Sequence, residues 1–95
     1  MATTTQIIPV DRVERRLTEL NAVIDDALEE MQRFWISKGR PRTVAGLYEN
    51  SEEARQHADM LNWATAHPGC ARSVRRMNEA MIERRALTRL LKKSA

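Results

Sequence analysis

Very little in this chain can staple or stiffen it. Cys70 is the single cysteine, so no intrachain disulfide forms and a reducing, cytoplasmic setting is the simplest expectation. Phe34, Trp35, Tyr48 and Trp63 are its only aromatics, and valine and isoleucine are few, which argues against a sheet. No apolar run approaches the roughly 18 to 20 residues of a membrane span, so no membrane partner is expected. Residues 1–8 lack both a basic stretch and a long apolar stretch, so no secretory signal is expected either.

What remains is rich in Ala, Leu, Met, Glu and Arg, a composition that favours helices. Ninety-five residues make one domain near the lower limit for a self-supporting core. Val13, Leu17, Leu20, Ile24, Ala27, Met31 and Phe34 recur at alternating steps of four and three. That seam requires another helix along most of its length. Val23, Leu28 and Trp35 widen the stripe beyond what a two-stranded coiled coil uses, which points to a bundle.

The boundaries follow from local chemistry. Residues 1–10 read as a flexible tail and residues 11–95 as a single helical domain. Asp11 and Glu14 have capping-box spacing, and Gly39 suits the position just past a helix, giving a first helix over about residues 12–38. Pro41 closes a turn, and Thr43 is expected to cap a single helical turn in which Val44, Leu47 and Tyr48 share a face. Asn50 with Glu53 opens a second helix over about residues 52–66, burying Ala54, Ala58, Leu61 and Thr65. His67-Pro68-Gly69 ends it, and a third helix covers about residues 71–92. Its stripe begins with Val74, Met77 and Met81, meets Arg84 and Arg85, and resumes on a rotated face through Ile82, Ala86, Leu87, Leu90 and Leu91. The expected fold is all-α: two long antiparallel helices and a shorter middle helix, completed by homo-oligomerisation.

Charge is unevenly placed. Residues 68–95 carry eight basic and two acidic groups, whereas residues 10–38 carry five basic and seven acidic ones. The basic excess is mostly arginine, suited to bidentate pairing with carboxylate or phosphate. Three readings compete for Arg72, Arg75, Arg76, Arg84, Arg85 and Arg89, with Lys92 and Lys93. They form a solvated face partly paired with Asp25, Asp26, Glu29 and Glu30 of the first helix, or a surface for nucleic acid or an acidic protein, or an oligomer contact. A helix-turn-helix reading of the last two helices fits the turn, but the second helix is about twice the usual length and no aromatic stacking platform accompanies the arginines.

Catalytic and cofactor chemistry lacks positive support. His57, His67 and Cys70 are the only soft ligand candidates and no second pair completes a zinc site, so no metal, cofactor or catalytic residue is assigned. No phosphate-binding glycine loop and no nucleophile motif is present. Trp35 and Trp63 read as core or interface anchors at the stripe edge.

Leu20, Val23, Ile24, Asp25, Leu28 and Arg33, with Arg16 and Arg33 at a similar separation, resemble the first-helix pattern of the all-helical chorismate mutases. That family has this length, shares a long first helix across a dimer, and holds a dicarboxylate with buried arginines. The resemblance therefore implies a helical enzyme with Arg16 and Arg33 at its anion site. It covers the first helix only. The family's loop lysine has no clear counterpart near residues 40–44, and Arg55 does not sit in the family's Arg-Glu pair.

The preferred expectation is a small non-enzymatic helical binding protein, an adaptor or stoichiometric inhibitor of a protein or nucleoprotein target. Its contact residues are Arg72, Arg75, Arg76, Arg84, Arg85, Arg89, Trp35 and Trp63. A nucleic-acid binder using the basic last helix is the alternative, and the mutase-like enzyme is third.

Overall fold

The seam that begins at Val13 does become the spine of the molecule. A computed structural model describes residues 9–94; most of the expected tail, residues 1–8, lies outside the described residues. Helix α1 spans Val10–Ser37, α2 spans Ser51–Ala66 and α3 spans Ala71–Ser94, with a single 3₁₀ turn, Pro68–Cys70, between the last two. Among the described residues there is no strand, and no helix is long and apolar enough to cross a membrane.

Each boundary has a local cause. Helix α1 starts two residues before the expected Arg12, because the Pro9 carbonyl accepts from the amides of Arg12 and Val13 at 3.0 and 3.1 Å. The expected Asp11 capping box is therefore not used; Asp11 sits inside the first turn, where a carboxylate favours the positive end of the helix dipole. Gly39 takes φ +81° and its amide returns to the Ile36 carbonyl, the left-handed exit expected of a glycine there. Asn50 caps α2 by accepting from the Glu53 amide at 2.9 Å, while the Glu53 carboxylate reaches back to the Glu49 amide at 2.8 Å.

Helices α1 and α3 run antiparallel: Arg16 near the start of α1 meets Glu83, and Asp26, ten residues on, meets Arg76, seven residues back along α3. All seven α1 seam positions are buried or half-buried. The core joins Leu20, Ile24, Ala27 and Met31 of α1 to Met60 and Ala64 of α2, Cys70, and Met77 and Ala80 of α3.

The other two helices correct the expected stripes. In α2, His57, Met60 and Ala64 are buried, whereas Ala58 and Thr65 are exposed, so the inward face is turned by about one residue. In α3 the seam does not rotate. Cys70, Ser73, Met77, Ala80, Arg84, Leu87 and Leu91 repeat at steps of three and four, and all are buried or half-buried. Two small residues and an arginine continue the repeat where large apolar residues were sought.

The expected turn of helix after Thr43 does not form. Residues 38–50 are irregular, with Gly46 at φ +104° and Leu47 97% exposed. Thr43 ties this loop down. The Gln32 amide nitrogen donates to the Thr43 carbonyl and hydroxyl at 2.8 and 2.7 Å, and the Thr43 amide donates back to Gln32 Oε1 at 3.1 Å.

Candidate contact surface on α3

A helix that buries one seam presents the opposite side to solvent, and in α3 that side is cationic. At about 100° per residue, Arg72, Arg75, Arg85, Arg89, Lys92 and Lys93 fall within an arc of roughly 160° opposite the Met77, Arg84, Leu91 seam. All six are exposed, and none forms an ion pair among the described residues.

The remaining two arginines of the expected set turn toward α1. Arg84 Nη1 donates to Asn21 Oδ1 at 3.0 Å, and Arg76 lies 3.5 Å from Asp26. The pairing of this segment with the acidic patch of α1 is thus confined to one long contact. Glu29, another member of that patch, is held instead by Arg42 from the loop, which lowers its pKa through hydrogen bonding to both carboxylate oxygens. Arg85, Arg89 and Lys92, with Met81, Arg84 and Thr88, line a shallow groove of about 360 Å³.

Trp35 and Trp63 are not part of this surface. They meet each other edge to face across α1 and α2, with ring centroids 5.4 Å apart, and Trp35 Nε1 donates to the Pro41 carbonyl at 3.1 Å. His67 stacks on Trp63 at 4.5 Å and also packs against Phe34. Asn21, the partner of Arg84, lies fourteen residues from Trp35, about 20 Å along α1.

A second concavity, of about 400 Å³, was not foreseen from the sequence. It lies between the end of α1, the loop and α2, and includes Trp35, Thr43, Glu52, Arg55 and Asp59. Its charges are partly matched internally: Arg55 pairs with Glu52 at 2.6 Å, and Arg40 stands 5.5 Å over the Trp35 ring. The proximity of Arg40, Glu52 and Arg55 to Trp35 depends on the path of an irregular loop, and no local repeat announces it.

The groups considered for metal or acid-base chemistry each have a structural occupation. His57 Nδ1 lies 3.0 Å from Thr43 Oγ1, and burial lowers its pKa. His67 Nδ1 accepts from the Gly69 amide at 3.1 Å. Cys70 is fully buried, and burial, followed by the nearby Glu30 charge, raises its thiol pKa. Among the described residues, no three or more His, Cys, Asp or Glu are grouped to hold a metal ion.

The two arginines behind the mutase-like resemblance are not brought to a common site. Arg16 is engaged by Glu83 at 2.6 and 2.9 Å and by Glu19 at 3.0 Å, while Arg33 is exposed. No family model, no curated protein and no solved structure matches this chain.

Proposed function

We propose that this chain is a non-enzymatic binding protein, an adaptor or stoichiometric inhibitor that acts by covering a surface of a protein or nucleoprotein target. The supporting observation is the outer face of α3, where six exposed cations form no ion pair among the described residues and share their arc with a single carboxylate, Glu79. Exposed charges contribute only about 0 to 1 kcal/mol each to folding, so an unmatched row of them has no evident structural task. The reading as a binder rather than a catalyst is supported by the way Arg16, His57, His67 and Cys70 are engaged in packing, capping or bridging.

The deciding experiment compares the wild-type chain with an Arg75→Glu, Arg89→Glu variant, both immobilised and exposed to host lysate. The variant should keep its helicity and thermal stability and lose the partner. Equal capture of the same partner by both would remove α3 from the contact surface.

The same proposal includes self-association. Leu17, Met81, Leu87, Leu90 and Leu91 are only half-buried, toward the ends of α1 and α3 remote from the α2 contacts at Gln32, Phe34 and Trp35. A second copy would cover this apolar surface. Light scattering should give a mass above that of the monomer at micromolar concentration; a value of 11.0 kDa throughout would overturn this part.

A further inference from the structure

We propose that the outer face of α3 lies against the phosphate backbone of double-stranded DNA without reading its sequence. The proposal rests on the reading of α3 as the contact surface and names the chemistry of its partner.

Three features of the face select this partner. The first is its length. Arg72 and Lys93 are 21 residues apart, so the six cations extend over about 32 Å of straight helix. Duplex DNA presents a negative charge about every 1.7 Å along its axis, and each cation placed near it releases condensed counterions. A row of arginines and lysines on a rigid rod meets that lattice of charge without needing a shaped pocket. Guanidinium groups also add bidentate hydrogen bonds to phosphate.

The second feature is what the face omits. Among the described residues of α3, Ile82 is the only exposed large apolar residue, with half-buried Val74 and Leu90 at the two edges of the cationic arc, and no aromatic residue lies on the helix. A protein partner is normally held by a desolvated apolar centre with aromatic anchors. Trp35 and Trp63 are in contact with each other, away from α3. The same lack disfavours single strands, whose bases are held by stacking on aromatic rings.

The third feature is polarity across the molecule. Asp25 and Asp26 on α1, and Glu52 and Asp59 on α2, are exposed. A polyanion repels those surfaces and is drawn to α3, so the charge distribution sets the side of approach. An α-helix with side chains is about 10 to 12 Å across, close to the roughly 12 Å major groove of B-form DNA. The major groove of an RNA duplex is deep and narrow by comparison, which favours DNA.

The test uses the full chain and a fluorescently labelled 20-base-pair DNA duplex of arbitrary sequence, with binding followed by anisotropy between 50 and 200 mM salt. Affinity should fall linearly on a logarithmic plot with a slope approaching −5, as expected for six neutralised phosphates at about 0.9 each. A duplex of unrelated sequence should bind within a few-fold, and a single strand or an RNA duplex of equal length more weakly. Arg75→Glu with Arg89→Glu should reduce the slope by about 2 and the affinity by at least about tenfold. Arg33→Glu with Lys38→Glu, an equal change of net charge at the end of α1 and just beyond it, should leave both nearly unchanged. Circular dichroism of each variant establishes that it is folded.

Equal losses in the two double variants would overturn the assignment to α3, and tighter binding to RNA would overturn the choice of DNA. Poly-L-glutamate supplies the remaining arm. If it binds through Arg75 and Arg89 while the duplex does not, the DNA proposal fails and the contact surface stands. If neither polymer binds at 50 mM salt, both readings fail.

Discussion

Thr43 Oγ1 lies between two side chains that have no other reason to meet, accepting from Gln32 Nε2 at 2.7 Å and facing His57 Nδ1 at 3.0 Å. A hydroxyl carries one proton and two lone pairs, so while accepting from Gln32 it can donate to Nδ1 or accept from it, according to the tautomer of the ring. One threonine thus joins α1, the irregular loop and α2.

The fold therefore titrates with His57. Burial lowers its pKa below the ordinary 6.5, so the unfolded chain binds a proton before the folded one does. Stability should be level above about pH 7.5 and decline as pH falls below about 6.5. Denaturation midpoints measured between pH 5 and 8 check this. His57→Gln should flatten that part of the profile, leaving the acid loss due to Glu29 and Glu83, whose pKa values are lowered by Arg42 and Arg16. An unchanged profile in the variant would remove His57 as its source.

The α1 seam should dominate stability. Leu20 and Ile24 are 2% and 4% exposed, and truncating either to Ala should cost about 2 to 5 kcal/mol. In a domain this small such a loss approaches the whole, so Ile24→Val, at about 0.5 to 1.5 kcal/mol, gives the measurable version. Urea denaturation of these variants should rank them in that order.

Ser73 is fully buried on the α3 seam, and its hydroxyl has no hydrogen-bond partner among the described residues. Ser73→Ala removes an unsatisfied polar atom and gains helix propensity, so it should stabilise the chain by about 1 kcal/mol. A destabilised variant would mean that the hydroxyl has a partner after all.

Cys70 should resist thiol reagents under native conditions. It has no exposed surface, and its raised pKa lowers the thiolate fraction further. Labelling should proceed only as fast as the core opens and accelerate with denaturant.

How much of this was legible in the sequence depended on the size of the residues that carried each signal. The α1 repeat is written almost wholly in large apolar side chains, and every seam position is buried or half-buried as the spacing implied. In α3 the same repeat is carried partly by Cys70, Ser73, Ala80 and Arg84, which a search for large apolar residues passes over. In α2, Ala58 and Thr65 were misleading: alanine is equally at home on either face of a helix, and the Thr65 hydroxyl is satisfied on the exposed face by donating to the Leu61 carbonyl. The basic face was visible as composition, but which arginines are free and which turn toward Asn21 and Asp26 depends on the pairing of two helices 50 to 63 residues apart. The Gln32, Thr43, His57 linkage has no period at all.

Arg84 on the α3 seam has a further consequence. Two helices built on sevens could settle one repeat up or down and still match apolar rows, like a ladder whose rungs are alike. Opposite Asn21 the guanidinium has an acceptor; displaced by one heptad toward the end of α1 it would face Leu28 and lose that acceptor, and only the opposite shift would bring it to a carboxylate, Glu14. Arg84→Leu should accordingly raise the thermal midpoint while blurring the amide spectrum, because the chain would be freed to sample neighbouring alignments. A polar pin of this kind gives up some stability for a single answer to the question of where one helix stops along the other.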